Sequence, residues 1–163
     1  MTEANWDNMR LAAKWVREDG LVVDGERVGF NMARWWSKCK DMSPNPAACN
    51  TTACLAGTIA LRQGERKIHR MALVGREFLG LGLLEAELLF IPYSAKTTDP
   101  LRLKRWQETI GFTGSWSTIP GEAVARILED MALRKDTTPR WFEIFDQMAD
   151  EVEAARAGQK GSV

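Results

Sequence analysis

The chain has few of the residues from which common catalytic and metal sites are built. Its 163 residues include one histidine, His69, and three cysteines, so a multi-histidine metal site and a metalloprotease HExxH motif are both excluded. The glycines between Gly75 and Gly82 do not follow a strand, as a dinucleotide-binding loop requires. Neighbouring acids such as Glu85 and Glu87 do not share a helix face. The sequence therefore predicts a protein that is not an enzyme and has no cofactor.

Net charge and long apolar runs are also lacking. The 22 basic and 22 acidic residues cancel, so no overall field attracts nucleic acid or an anionic membrane. Residues 62–105 carry nine Lys or Arg against five Asp or Glu, whereas residues 106–163 carry six against ten. No apolar run approaches the ~20 residues that span a bilayer, and residues 1–7 do not resemble a signal peptide. We expect a soluble protein of the bacterial host cytoplasm with reduced thiols and no membrane partner, for which nucleic acid is not the main partner.

Helix start and stop signals predict the fold class. They indicate an all-α, irregular bundle of seven to eight short helices in a single domain, residues 1–157, followed by a disordered tail, residues 158–163. The predicted helices span residues 5–18, 31–38, 52–63, 65–79, 83–90 and 101–110, and two more begin near Pro120 and Pro139. Residues 21–30 form either a loop or a hairpin that turns at Asp24-Gly25. We favour the loop.

The helix predicted at 52–63 is the centre of this bundle. Thr51 or Thr52 is suited to accept a backbone N–H at its start, and only Thr58 is polar in the run that follows as far as Leu61. A helix that is apolar on all sides belongs inside a protein. Its small residues allow another backbone to approach closely: Ala53, Ala56, Gly57 and Ala60.

The residues from Cys49 to Gly57 also carry a resemblance. Cys-x-Thr-x-x-Cys-x-Ala-Gly resembles the Cys-Gly-Thr-x-x-Cys-Ile-Ala-Gly signature of small helical proteins that are common in bacterial and phage genomes and have no assigned activity. Further similarities occur at Phe30-Asn31-Met32, Trp35-Trp36 and Leu79-Gly80-Leu81, so the resemblance covers residues 5 to 135. Asn50 replaces the usual glycine of the signature, and Thr58 a frequent tryptophan. The resemblance implies a helical fold and a phage or mobile-element origin.

Seven tryptophans favour a recognition surface. Trp35 and Trp36 cannot both point inward from one helix, and Trp116 lies in a predicted loop. Exposed Trp and Arg side chains dominate binding energy at many interfaces. We predict that a partner contacts Trp35, Trp36, Arg102, Arg105, Trp106 and Trp116. The alternative is that these rings cap the edges of the core.

Three functional classes follow. The first, which we favour, is a non-enzymatic protein that binds a host protein or complex; the phage resemblance implies an inhibitor of a defence system, such as an anti-CRISPR protein. The second is a small-molecule or nucleotide binder in which a tryptophan stacks on a ring and a basic patch holds an anion: Arg62, Arg66, Lys67, Arg70 and Arg76. The third is a thiol or zinc protein with a three-Cys, one-His site: Cys39, Cys49, Cys54 and His69. Their spacing lacks the usual close Cys pair, which favours buried thiols over a metal.

Overall fold

A computed structural model describes residues 3–18, 21–32, 51–91 and 95–160 of the chain. These ranges contain seven α-helices, which confirms the prediction of an all-α irregular bundle, together with three very short strands. In chain order the elements are α1 (Trp6–Arg17), β1 (Val22–Val23), β2 (Glu26–Phe30), β3 (Thr51–Ala53), α2 (Leu55–Arg62), α3 (Ile68–Leu79), α4 (Leu83–Phe90), α5 (Pro100–Ile110), α6 (Gly121–Arg134) and α7 (Trp141–Lys160). The helix predicted at 31–38 lies outside the described residues except for its first two positions.

Local capping interactions fix where several helices begin. The Asn5 side chain accepts the Asn8 N–H at 2.9 Å at the start of α1, and Asp99 accepts the Leu101 N–H at 3.0 Å at the start of α5. At the start of α4 the Gly82 N–H donates to the Glu85 carboxylate at 2.8 Å. These interactions satisfy groups that have no partner inside their own helix. The predicted starts of these helices are confirmed.

Helix α2 is the buried centre of the fold, as predicted. All its residues from Leu55 to Leu61 are buried. Its N-cap is Cys54, whose Sγ accepts the Gly57 N–H at 3.4 Å. The predicted threonine cap is wrong, because Thr51–Ala53 instead form β3.

The strands form one small sheet in the order β1-β2-β3. Strand β1 pairs antiparallel with β2, and β2 pairs parallel with β3. Asp24 and Gly25 both have positive φ, 52° and 81°, as a two-residue hairpin turn requires. The preference for a loop at residues 21–30 is therefore wrong, and the hairpin alternative is correct. Val23 and Val28 of this hairpin pack against Leu61 of α2.

The long helices enclose the main core. Helix α1 packs against α6, α5 against α7, and α2 against α3. Helix α7 continues to Lys160, three residues into the segment predicted as a disordered tail, and residues 161–163 lie outside the described residues. No helix in the described ranges is long and apolar enough to cross a membrane.

Candidate functional site

Trp106 belongs to the core and not to an exposed contact surface. Its side chain has an exposure of 0%, and its ring lies against Phe112 and Phe145 with centroids 6.0 and 5.1 Å apart. Its Nε1–H donates to Asp146 Oδ1 at 2.8 Å. The prediction that Trp106 contacts a partner is wrong for this structure, because no part of the ring reaches solvent.

Arg102 and Arg105 tie α5 to α7. Arg102 pairs with Asp146, and its guanidinium carbon lies 5.2 Å from the centroid of the Trp106 ring. Arg105 pairs with Asp150 and, at 2.8 Å, with Glu153; its hydrogen bonds to these two carboxylates raise the pKa of Arg105. Both arginines were predicted to contact a partner, but they already have intramolecular partners. The acids on α7 follow an i, i+4, i+7 spacing, a sequence signal from which this pairing was predictable.

The other tryptophans of the predicted contact surface give it little support. Trp116 is half-buried in a 3₁₀ turn, and Lys96 Nζ lies 5.9 Å from the centroid of its ring. Trp35 and Trp36 lie outside the described residues, so their role stays a prediction.

The predicted anion-binding patch is largely neutralised. Arg62 pairs with Glu18 at 3.1 Å, Arg66 with Asp24 at 3.9 Å, and Arg70 with Glu65 at 3.4 Å. Lys67 is the N-cap residue of α3. Within the described ranges, Arg76 is the one arginine of this patch that is not in an ion pair.

The residues of the predicted zinc site are only partly described. Cys54 is buried, and this burial raises the pKa of its thiol to about 11, so the group is a neutral thiol at physiological pH. His69 lies exposed on α3. Cys39 and Cys49 lie outside the described residues. Among the residues that are described, no three His, Cys, Asp or Glu side chains are grouped to hold a metal ion.

A groove with mainly apolar walls lies between α3 and α4. Its volume is about 390 Å³, within the range of ~300–1,000 Å³ that is common for ligand sites. Each helix contributes residues at i, i+3, i+4 and i+7, which is one helical face. The lining residues are His69, Ala72, Leu73 and Arg76 of α3, and Leu83, Ala86, Glu87, Phe90 and the adjacent Ile91 at α4.

Close packing on α2 holds α3 in place beside this groove. A Cβ at Gly75 would lie 3.2 Å from Ala56 Cα and 3.2 Å from the Phe90 ring, so glycine lets α3 approach both α2 and α4. This close approach occurs at Ala56, one of the small residues from which it was predicted. Met71 and Leu79 lie on the same side of α3 and are fully buried. The face of α3 that lines the groove is next to this buried side.

Apolar side chains remain exposed on both helices of the groove. Leu73 is 39% exposed and Leu83 is 62% exposed at the groove itself, and Ile68, Leu84 and Leu88 are exposed on other faces of the same two helices. Half of the Ile68 side chain is exposed. Five of the nine large apolar residues that are exposed in the described ranges therefore lie on these two helices. Clustered exposure of this kind marks interaction sites.

Arg76 adds an uncompensated cation to the groove. Within the described residues its side chain makes no ion pair or hydrogen bond, whereas every other described arginine takes part in an interaction. Glu87 also lines the groove but does not pair with it. The groove thus combines apolar walls with a guanidinium that is free to bind an anionic group of a partner.

Comparisons with known proteins identify no relative of this chain. No family model, no curated protein and no solved structure matches it.

Proposed function

We propose that this chain is a non-enzymatic binding protein that holds apolar side chains of a partner protein in the groove between α3 and α4. The supporting observation is an open groove of about 390 Å³ with Leu73 and Leu83 exposed at it. A groove between two helices suits the apolar face of a peptide segment. Burial of these leucines supplies the driving force for association.

A protein partner is favoured over a small molecule by the extent of the apolar surface. Ile68, Leu84 and Leu88 are exposed on α3 and α4 but do not line the groove. A ligand small enough for the groove leaves these side chains in water, whereas only a partner that extends beyond the groove can cover them. A stable protein interface buries at least about 1,000 Å² in total, which requires surface beyond the groove. That the partner belongs to a host defence system stays a prediction from the phage resemblance.

Affinity capture with matched variants tests this proposal. Tagged wild-type protein, Leu83→Asp and Leu101→Asp are used to capture proteins from a bacterial lysate, and the recovered proteins are quantified by mass spectrometry. Leu101 is a suitable control because it is 79% exposed and, like Leu83, lies in the first turn of its helix. Aspartate is favourable near a helix N-terminus, so neither substitution should unfold the domain. Circular dichroism verifies this.

We expect the wild type and Leu101→Asp each to recover one partner protein in a stoichiometric amount. Leu83→Asp should recover at least about tenfold less of this partner, equivalent to ~1.4 kcal/mol of binding free energy. Equal recovery with all three proteins would show that the partner binds elsewhere. Recovery of the chain alone, with extra non-protein mass in a native mass spectrum, would contradict a protein partner and indicate a small ligand.

A further inference from the structure

We infer that the segment bound in the groove is an amphipathic α-helix of the partner, which places an Asp or Glu side chain on Arg76. This inference rests on the proposed function and specifies the chemistry of the partner. It follows from three features of the groove: its helical walls, its small floor residues and its unpaired guanidinium.

The helical walls favour a helical occupant over an extended one. Residues 69–76 and 83–90 lie within α3 and α4, where the backbone groups are hydrogen-bonded inside each helix. The backbone N–H and C=O groups of an extended peptide in this groove would lose their hydrogen bonds to water. The groove has no strand edge that could replace these hydrogen bonds. A helix satisfies its own backbone and presents apolar side chains at i, i+3 or i+4, and i+7.

The dimensions of the groove match about two turns of such a helix. Each wall spans seven residue steps, roughly 10 Å at 1.5 Å per residue. Ala72 and Ala86 are the smallest side chains of the lining, and they leave room for larger side chains of the occupant between Leu73, Leu83 and Phe90. Two or three apolar residues of the partner therefore fit along the groove.

The charge on Arg76 specifies the polar contact. A guanidinium binds a carboxylate through two parallel hydrogen bonds, and such a pair is stronger beside apolar walls than in water. Other arginines of the protein already have this partner, for example Arg102 with Asp146 and Arg126 with Glu151. Arg76 has none among the described residues. An acidic residue of the bound helix therefore pairs with Arg76. Glu87 repels an acid placed beside it, so the orientation that places the acid on Arg76 is favoured over the reverse orientation.

Selection from a phage-displayed random peptide library tests this inference. The library is selected in parallel on the wild type, Arg76→Glu, Leu83→Asp and the control Lys67→Glu, which reverses a charge next to α3 but does not line the groove. We expect the wild type and Lys67→Glu to enrich peptides with apolar residues at helical spacing and an acid at one fixed position. Arg76→Glu should enrich Lys or Arg at that position.

The most enriched peptide and its acid-to-Lys version are then synthesised, and their affinities are measured by fluorescence anisotropy. The acid-to-Lys change should weaken binding to the wild type at least about tenfold and strengthen binding to Arg76→Glu. Circular dichroism should show a gain of helix when the peptide binds.

The outcomes separate the two proposals. The selected peptides could require Leu83 but show no preference for an acid, or they could show the same acid preference on Arg76→Glu as on the wild type. Either result would overturn the role of Arg76 and leave the groove as the binding site. Bound peptides without helical signal would overturn the helical occupant. Peptides enriched equally on Leu83→Asp, or no enrichment on the wild type, would overturn both this inference and the proposed function.

Discussion

Gly80 joins the start of α1 to the end of α3. It has φ +67°, and a Cβ at this position would overlap the Glu3 carbonyl oxygen and approach the Asn5 nitrogen. The Asn5 N–H donates to the Leu79 carbonyl at 2.9 Å, and the Asn8 side chain donates to the Phe78 carbonyl at 2.7 Å. The N-terminal segment therefore satisfies carbonyls that the end of a helix leaves without partners.

Substitution of Gly80 by alanine should destabilise the protein more than the same change at Gly111. Gly111 ends α5 with φ +75°, but a Cβ there meets nothing within 4 Å, so Gly111→Ala carries only the left-handed strain of ~1–2 kcal/mol. Gly80→Ala adds steric overlap, which typically costs ~1–3 kcal/mol more. Urea unfolding of both variants measures the difference. Equal losses would mean that residues 3–5 move away without cost.

Cys54 should be unreactive in the folded protein. Burial raises the pKa of its thiol to about 11, and only the thiolate reacts rapidly with iodoacetamide. We expect no label on Cys54 in the native state and full labelling in urea, measured by mass spectrometry with fragment ions that distinguish it from Cys49. Native labelling at the rate of the unfolded chain would contradict the buried cap position.

At the scale of elements, Asp146 is one of the acids of α7 that link this helix to α5. It accepts the hydrogen bond of the fully buried Trp106 and pairs with Arg102. Burial raises the pKa of Asp146, but hydrogen bonds from Arg102 and Trp106 outweigh this and hold the pKa below its usual value. The carboxylate is therefore charged at neutral pH and satisfies groups on two turns of α5.

Asp146→Ala and Asp146→Asn separate the two contributions of this side chain. Alanine leaves the Trp106 N–H buried without its acceptor, which costs ~1–3 kcal/mol in the free energy of unfolding. Asparagine keeps one oxygen that can accept the Trp106 N–H but replaces the other, which accepts from Arg102, with an NH2 group. Because the buried indole keeps its acceptor, we expect asparagine to be the milder change. Thermal unfolding monitored by circular dichroism compares them. An equal loss would show that the ion pair, and not the indole hydrogen bond, dominates.

The elements that were predictable from the sequence are those fixed by local interactions. Asn5 and Asp99 cap helices within three residues of themselves, so the starts of α1 and α5 were predictable. Strand β3 was not, because its pairing with β2 joins Thr51 to Val28, far apart in the chain. Thr51-Thr52 suits a cap and a strand equally well by residue type. Only the non-local pairing decides between them.

The groove was missed for a related reason. Helix α4 is apolar on nearly all sides, which predicts complete burial, yet Leu83, Leu84 and Leu88 are exposed. Whether neighbouring elements cover such a helix depends on tertiary packing. The tryptophan criterion failed at Trp106 because its indole N–H donates to Asp146 of α7, which allows the ring to be buried. Only the acid spacing on α7 indicated this contact.

At the scale of the whole molecule, ion pairs join helices that are distant in sequence. Arg17 of α1 pairs with Glu122 of α6 at 2.8 Å, and Arg126 of α6 pairs with Glu151 of α7 at 2.7 Å. Arg105, from the basic stretch 62–105, pairs with Glu153 in the acidic stretch that follows. The charge asymmetry along the chain is therefore partly neutralised by folding.

These pairs give the stability a defined pH dependence. The pKa values of Glu122, Asp146 and Glu151 are lowered, with hydrogen bonds from Arg17 and Arg126 the largest causes for the two glutamates. A carboxylate whose pKa is lower in the folded state stabilises the protein above its unfolded pKa, ~3.9–4.3, and loses this contribution as the pH falls through the folded value. The raised pKa values of the arginines affect the stability only at strongly alkaline pH, where arginine begins to lose its proton.

We therefore expect the melting temperature to be nearly constant from neutral pH to about pH 5 and to fall steadily below it, where the unfolded chain takes up protons first. Calorimetry over this range at low and high salt measures the effect, since salt weakens the exposed pairs and should flatten the acid limb. Asp146→Asn should also flatten it, because one of the titrating groups is gone. A melting temperature that rises on acidification would contradict the assignment, since it would require carboxylates that bind protons more tightly in the folded protein than in the unfolded chain.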